Sequence, residues 1–106
     1  MTTNEPSQNT EVEGHIIGAL IKDINHSKCR ETLDSLGDED FYSRVHRIIY
    51  RCIKVLTQQR IAADLVTVSE ALERNGDDFG GFIYLAELSR NTPGVYNLSA
   101  YVNIVK

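Results

Sequence analysis

Apolar residues recur at helical spacing in six stretches of the chain, and no stretch has the strict alternation of a half-buried strand. The clearest stretch is 43–59, whose apolar side chains follow the i, i+3, i+4, i+7 pattern without an interrupting glycine or proline. The predicted helices cover residues 11–23, 27–36, 43–59, 68–75, 81–90 and 97–105. The pattern therefore predicts an all-α fold, a compact bundle of about six short helices.

The two ends of the chain differ in their pattern. Residues 1–10 are polar and aperiodic, so we expect a disordered tail there and one helical head domain over residues 11–106. The last helix is still periodic at Lys106. This predicts either that the parent protein continues beyond Lys106 or that the last turn frays.

Local signals predict where helices begin and which faces are buried. Glu11 and Glu13 fall in the first turn of the first predicted helix, where the helix dipole favours negative charge. Thr67 and Glu70 have the spacing of a capping box, which predicts that the fourth helix begins at about residue 68. Phe82 is predicted to lie on the buried face of the fifth helix.

Composition narrows the class of protein. The chain has 106 residues and 42% hydrophobic content, enough for one domain with its own core. Its net charge of −4 argues against a general electrostatic affinity for nucleic acid or anionic membrane. The two cysteines and the absence of an apolar segment in residues 1–14 predict reduced thiols and a cytoplasmic location, with no membrane partner.

A glycine pair, Gly80-Gly81, precedes the fifth helix and raises the question of a phosphate site, because helix N-termini attract anions. A phosphate-binding P-loop also requires a Gly-Lys-Ser/Thr sequence, and no glycine here is followed by lysine. Asp77 and Asp78 come just before the pair and would repel a phosphate. We therefore predict a tight turn between helices at Gly80-Gly81.

The third predicted helix carries a set of cations opposite its apolar face. We call this set the basic face; it consists of Arg44, Arg47, Arg51 and Lys54. It predicts either a contact surface for phosphates or acidic proteins, or a solvated face whose charges pair with acids of other helices. The acidic total charge favours the second interpretation.

Catalytic and metal-binding patterns are weak. His15, His26 and His46 lie on three different elements without metal-site spacing, so we predict that His46 is a packed or hydrogen-bonded side chain. Cys52 lies on an apolar stripe, where a thiol is usually inert. We therefore expect no catalytic, cofactor-binding or metal-binding residues in this chain.

The last helix and its start carry candidate interface residues. They are Tyr96, Tyr101, Ile104 and Val105. Tyrosines are favoured at protein interfaces, because their rings are largely apolar while the hydroxyl can meet water. Tyr101 fits a position in the core equally well.

Five stretches together resemble the N-terminal domain of the DnaB-type replicative DNA helicase family. They are Glu11-Val-Glu13 followed by Ile-Ile-Gly18-Ala-Leu20, Asp40-Phe41-Tyr42 followed by His46, Asp64-Leu-Val-Thr67-Val, Gly80-Gly81-Phe-Ile-Tyr84-Leu-Ala-Glu87-Leu, and Asn91-Thr92-Pro93. Each motif is weak alone, but all five occur in the family's order and spacing over residues 11–106. Gly14-His15 departs from the family, which has glutamine and serine there.

The resemblance implies an all-helical collar domain of a hexameric helicase. Its implied partners are other helicase subunits, with a possible homodimer, together with primase and the helicase loader. The family's ATP and Mg²⁺ belong to a separate motor domain, so the resemblance implies no cofactor in this chain. The family's region ends in a helical hairpin, and residues 97–106 would be the start of that hairpin, here truncated.

Two alternatives remain open at this point. A stand-alone regulator could mimic the helicase collar and redirect the ring; a stop codon after Lys106 would favour this. A nucleic-acid-binding domain could use the basic face, and it predicts an affinity for DNA that falls steeply with added salt. The leading hypothesis remains a non-catalytic docking module whose contact with DNA is weak or absent.

Overall fold

The computed structural model describes residues 6–106, and over this range all regular structure is helical. One short 3-10 turn, Asp38–Asp40, joins the second and third helices. The α-helices are α1 (Pro6–Lys22), α2 (Ser27–Ser35), α3 (Arg44–Gln58), α4 (Leu65–Asn75), α5 (Gly81–Asn91) and α6 (Leu98–Val105). The predicted all-α class and the six-helix count are confirmed for the described part of the chain.

Helix α1 is the centre of the bundle. It packs against α5 and α6 and also contacts α3, while α4 bridges α3 and α5, and α2 packs on α6. Its residues from Ile16 to Ile21 are all buried. A helix that is apolar on nearly every side over this range must be surrounded by other helices, as α1 is.

Helix α3 has the amphipathic form that its sequence predicts. Its inner face buries Ile49, Tyr50 and Ile53. The Tyr50 hydroxyl donates a hydrogen bond to the Leu36 carbonyl at 2.7 Å, which ties α3 to the end of α2. Because a buried phenol needs such an acceptor, this contact lets an aromatic ring with a polar group sit inside the core.

The start of α1 differs from the prediction. The helix begins at Pro6, so the expected disordered tail is wrong for residues 6–10, and residues 1–5 lie outside the described range. Proline is well tolerated in the first turn of a helix because the amide it lacks would have no partner there. Glu13 is consequently not a first-turn residue: it lies in the middle of α1 and is 1% exposed.

The predicted capping box at Thr67 is also wrong. Helix α4 begins at Leu65, and Asp64 is its N-cap, accepting a hydrogen bond from the Thr67 amide at 2.9 Å. The Thr67 hydroxyl in turn accepts from the Asp64 amide at 2.9 Å. A reciprocal box therefore exists three residues earlier than predicted, with Asp64 as the cap instead of Thr67.

The turn between α4 and α5 is confirmed. Gly80 and Gly81 have φ angles of 86° and 90°, a region that side-chain-bearing residues rarely adopt. The rotation of α5 that follows differs from the prediction, since Leu85 is buried but Phe82 is 45% exposed. Tyr84 turns toward the bundle in place of Phe82, for a reason given below.

Candidate protein interface

A network of buried polar groups joins three helices at the centre of the molecule. Glu13 of α1 accepts from His46 of α3, with 2.8 Å between Oε1 and Nδ1. The other imidazole nitrogen, Nε2, lies 2.6 Å from the hydroxyl of Tyr84 on α5. Glu13 and His46 are 1% and 2% exposed, so this pair lies away from solvent, whereas Tyr84 is half-buried.

The Glu13 carboxylate also organises the approach to α3. It accepts hydrogen bonds from the backbone amides of Tyr42 and Ser43, the two residues before that helix. With His46, three donors point at one carboxylate. A buried carboxylate with several donors has its hydrogen-bonding capacity satisfied, so Glu13 links α1 to the start of α3.

The chemistry of the network follows from its donors and acceptors. A carboxylate can only accept a hydrogen bond, so His46 Nδ1 carries a proton. In the neutral imidazole, Nε2 then accepts a hydrogen bond from the Tyr84 hydroxyl. Burial raises the pKa of Tyr84, and the nearby carboxylates of Glu13 and Glu87 raise it further. The phenol therefore stays protonated, and the network functions as a structural tie between helices. His46 is confirmed as a packed, hydrogen-bonded histidine.

The sequence contained each member of this network but not their pairing. Glu13, His46 and Tyr84 belong to three of the motifs quoted above, and 33 and 38 residues separate the bonded pairs. The Tyr84 contact also explains the rotation of α5, because the helix turns Tyr84 inward to reach His46. The signal in the sequence was that each of these three motifs contains one polar residue of a kind that can be buried when it is hydrogen-bonded.

Most of the basic face is engaged within the domain. Arg51 binds Asp38 with 2.6 Å between Nη2 and Oδ2, and this contact lowers the pKa of Asp38. Arg47 donates to the Phe41 carbonyl at 3.1 Å. Lys54 donates to the Leu36 carbonyl at 3.2 Å.

These bonds fasten the connection between α2 and α3 onto the side of α3. The expected pairing with acids of other elements therefore holds for Arg51, whereas Arg47 and Lys54 bind backbone carbonyls. Arg44 is exposed and has no ion pair with any residue in the described range.

The four candidate interface residues, three on α6 and Tyr96 just before it, differ in their exposure. Tyr96 and Ile104 point outward and are 85% and 47% exposed. Val105 is buried in the core, and Tyr101 is half-buried with its ring 5.7 Å from that of His15. The helical period accounts for the difference between Val105 and Ile104, since Val105 shares the buried face of α6 with Leu98 and Val102, and position 104 lies off that face.

A second exposed apolar group lies at the start of α5 and was missed because Phe82 was predicted to be buried. Ile83 is 73% exposed and Phe82 is 45% exposed. Adjacent large apolar side chains in water are a feature of contact surfaces. A glycine turn followed by three large side chains was the available signal, since a single helix face cannot bury all three.

The described residues hold no group of three potential metal ligands. Within the same range, none of the helices is long and apolar enough to cross a bilayer. Desolvation raises the pKa of Cys29 to about 11, and burial also raises that of Cys52. Thiols with raised pKa values are weak nucleophiles near neutral pH, as predicted for Cys52.

Comparison with known proteins points to one family. A family model described as the DnaB-like helicase N terminal domain matches residues 5–106. The replicative DNA helicase DnaB of Haemophilus influenzae is 36% identical over 107 residues, which cover 95% of this chain and 22% of that protein. The DnaB of Pasteurella multocida is 38% identical, with the same two coverages.

Solved structures give the same result for the fold. A crystal structure of the N-terminal domain of DnaB helicase from Mycobacterium tuberculosis is similar, with a TM-score of 0.81 and 29% identity. The match covers 91% of this chain and 67% of that one. The chain thus spans about a fifth of the length of the two curated helicases, at 22% of each.

Proposed function

Because the chain belongs to the family of DnaB-like helicase N-terminal domains, we propose that it is the non-catalytic collar of a replicative DNA helicase. In this role it mediates assembly of the helicase ring, including a possible homodimer of this domain, and it docks primase and the helicase loader. ATP and Mg²⁺ would be used in a separate motor domain. The work would take place in the cytoplasm.

The observation that carries this proposal is the family match over residues 5–106, which includes all six α-helices. A supporting observation is the exposed apolar surface of Tyr96 and Ile104, because such side chains favour contact with other proteins. The buried network gives the domain a rigid frame. A rigid frame suits docking, because little conformational freedom is then lost on binding.

Nucleic-acid binding has less support than docking. Arg47, Arg51 and Lys54 each donate a hydrogen bond within the domain, and a phosphate would have to compete with those acceptors. Within the basic face, Arg44 is the residue that forms neither a hydrogen bond nor an ion pair with its side chain in the described range. A single free cation on the basic face neutralises too few phosphates for stable binding of nucleic acid there.

The test measures solution mass, for the chain alone and for its mixtures with cognate primase and helicase, by sedimentation at micromolar concentrations. The double variant Tyr96→Glu, Ile104→Glu places one charge on exposed α6 surface and one just before that helix. We expect it to weaken association at least tenfold, because central aromatic and aliphatic contacts are each worth about 1–2 kcal/mol or more.

Val66→Glu is the matched control. Val66 is 67% exposed on α4, outside the predicted surface, so this charge should leave association unchanged. A wild-type chain that binds neither itself, nor helicase, nor primase would refute the proposed function. A wild-type chain that binds while the double variant binds equally well would leave the function standing and show that the surface lies elsewhere.

A further inference from the structure

A cavity of about 420 Å³ lies where two chain connections meet, beside the ends of α2 and α3. We call it the arginine cavity. Its lining consists of Ile24, Asn25, Arg30, Thr57, Arg60, Ile61, Ala62 and Ala63. Two arginines thus line one cavity, and none of the described residues that line it is acidic.

The arginines of this cavity keep most of their hydrogen-bonding capacity. Arg30 donates from Nη2 to the neutral amide oxygen of Asn25 at 3.0 Å. Arg60 forms no ion pair with any residue between 6 and 106. Since each guanidinium carries five N–H donors, the pair has donors available for an anion.

Three acids, Asp23, Glu31 and Asp64, are adjacent along the chain to cavity residues, and none of them lines the cavity. Asp64 follows the cavity residue Ala63, but its carboxylate accepts from the Thr67 amide at 2.9 Å as the cap of α4. Arg51 and Arg74, by contrast, each bind a carboxylate within 4 Å. The arginine cavity therefore brings two arginines together with no acidic residue in its described lining.

Arg60 also has an unusual backbone. Its φ is 63°, and it is the one non-glycine residue in the described chain with a positive φ. It follows the end of α3, where the Ile61 amide donates to the Leu56 carbonyl at 2.9 Å. Glycine is the preferred residue in this closing conformation, so an arginine here costs stability. Backbone strain that is retained at a position is a reason to look for a functional role of its side chain.

Beside the polar residues Asn25 and Thr57, the cavity has an apolar wall. It is formed by Ile24 and by the segment from Ile61 to Ala63. Ile61 is 43% exposed, so it is available to contact a ligand. The volume lies within the range of small-molecule sites, which combine an apolar lining with a few placed polar groups.

We propose that the arginine cavity binds a small phosphorylated ligand of the nucleotide class. Arg30 and Arg60 hold the phosphate by charge-assisted hydrogen bonds, and the apolar wall contacts the base. This binding site is separate from the ATP site of the family's motor domain, and the proposal does not depend on the docking role proposed above. The sequence did not predict it, because Arg30 and Arg60 lie on different elements with no motif connecting them.

The test is an NMR titration of the ¹⁵N-labelled chain at low ionic strength. The probes are ADP, inorganic phosphate and adenosine, each added to millimolar concentration. We expect saturable shifts of the Arg60 and Ile61 amide signals with ADP, weaker binding of phosphate, and no saturation with adenosine. The absence of saturable shifts with ADP would overturn the proposal. Equal binding of ADP and phosphate would overturn the assignment to nucleotides.

Arg60→Gly is the decisive variant, because it removes the guanidinium while relieving the backbone. It should unfold at the same denaturant concentration as the wild type or a higher one, yet bind ADP at least about tenfold more weakly. Loss of binding then cannot be attributed to misfolding. Wild-type affinity in this variant would contradict the proposal.

Arg44→Ala is the control for general charge, because it removes one exposed cation that lies outside the cavity. It should leave ADP affinity within about twofold of the wild type, since Arg44 does not line the cavity. If Arg44→Ala weakens binding as much as Arg60→Gly, the ligand responds to the field of the whole protein and the site is refuted. Shifts caused by an acidic peptide but not by ADP would indicate a protein partner instead and also overturn the proposal.

Discussion

Replacing Gly18 with alanine tests how closely α1 and α5 must approach each other. A Cβ atom at Gly18 would lie 2.1 Å from the Leu88 carbonyl oxygen and 2.8 Å from its carbonyl carbon. Ordinary contacts of a Cβ atom are 3.4–4 Å, and both atoms belong to backbone that cannot rotate away. The alanine variant can therefore fold only if α5 withdraws from α1.

Gly14 provides a matched control one turn earlier on α1. A Cβ atom there would meet Leu88 Cδ2 at 2.9 Å, which is the far end of a flexible side chain. Both substitutions gain about 1 kcal/mol of helix propensity, since glycine is unfavourable in a helix interior. The difference between the two variants therefore reports the tertiary contact alone.

The magnitude follows from the contact atoms. Forcing extra atoms into a packed interior costs about 1–3 kcal/mol, and withdrawal of α5 also weakens the packing of Leu85 and the reach of Tyr84 to His46. After the propensity gain, we expect Gly18→Ala to destabilise the domain by about 1–3 kcal/mol. Gly14→Ala should be within about 0.5 kcal/mol of the wild type, because a rotamer change of Leu88 relieves its contact.

Urea unfolding followed by circular dichroism measures both free energies of unfolding. A domain of this size has a slope of about 1–2 kcal/mol per molar urea, so the midpoints of the two variants should differ by about 1 M. If Gly18→Ala is as stable as Gly14→Ala, the close approach of the two helices is wrong, and the packing of α5 must be reassigned.

Three further substitutions test the polar contacts and the thiols. Glu13→Gln should destabilise the domain by about 2–4 kcal/mol in urea unfolding, because an amide cannot accept from three donors; a smaller loss than 1 kcal/mol would contradict the proposed tie. Asp64→Ala should lower the free energy of unfolding by about 1 kcal/mol, and Glu70→Ala should lower it by about 0.5 kcal/mol or less. A larger loss for Glu70→Ala than for Asp64→Ala would favour the predicted capping box of Thr67 and Glu70. In a Cys52→Ser variant at pH 8, Cys29 should react with a disulfide reagent at least about 100-fold more slowly when folded than in urea, because raising the pKa from 9.0 to about 11 removes that much thiolate; equal rates would refute its burial.

Helices were predictable where apolar spacing and local chemistry agree. The third predicted helix, 43–59, matches α3 within a residue at each end, since its pattern is long and uninterrupted. The start of α4 was not predictable in the same way, because Asp64-x-x-Thr67 and Thr67-x-x-Glu70 both have capping-box spacing. Local sequence permits either, and the structure selects Asp64.

The candidate surfaces were predictable only in part. Apolar residues of α6 could be placed at the surface or in the core from their type, yet Ile104 and Val105 differ in exposure because α6 packs on α1 and α2 along one side. The exposed side chain of Phe82 follows from the rotation of α5 toward His46. Neither outcome depends on the residue's own neighbours along the chain, so no local pattern could have predicted it.

The hydrophobic pattern by itself determined that this protein is an all-helical bundle, and its motifs determined its family, because both depend on spacing along the chain. The tertiary structure alone decided which polar residues meet, how closely α1 and α5 approach, and which cations remain without a counter-charge. These features join residues far apart in sequence, and their free energies arise from burial and contact in three dimensions. Spacing along the chain does not specify those distances, because they are set only when the helices pack.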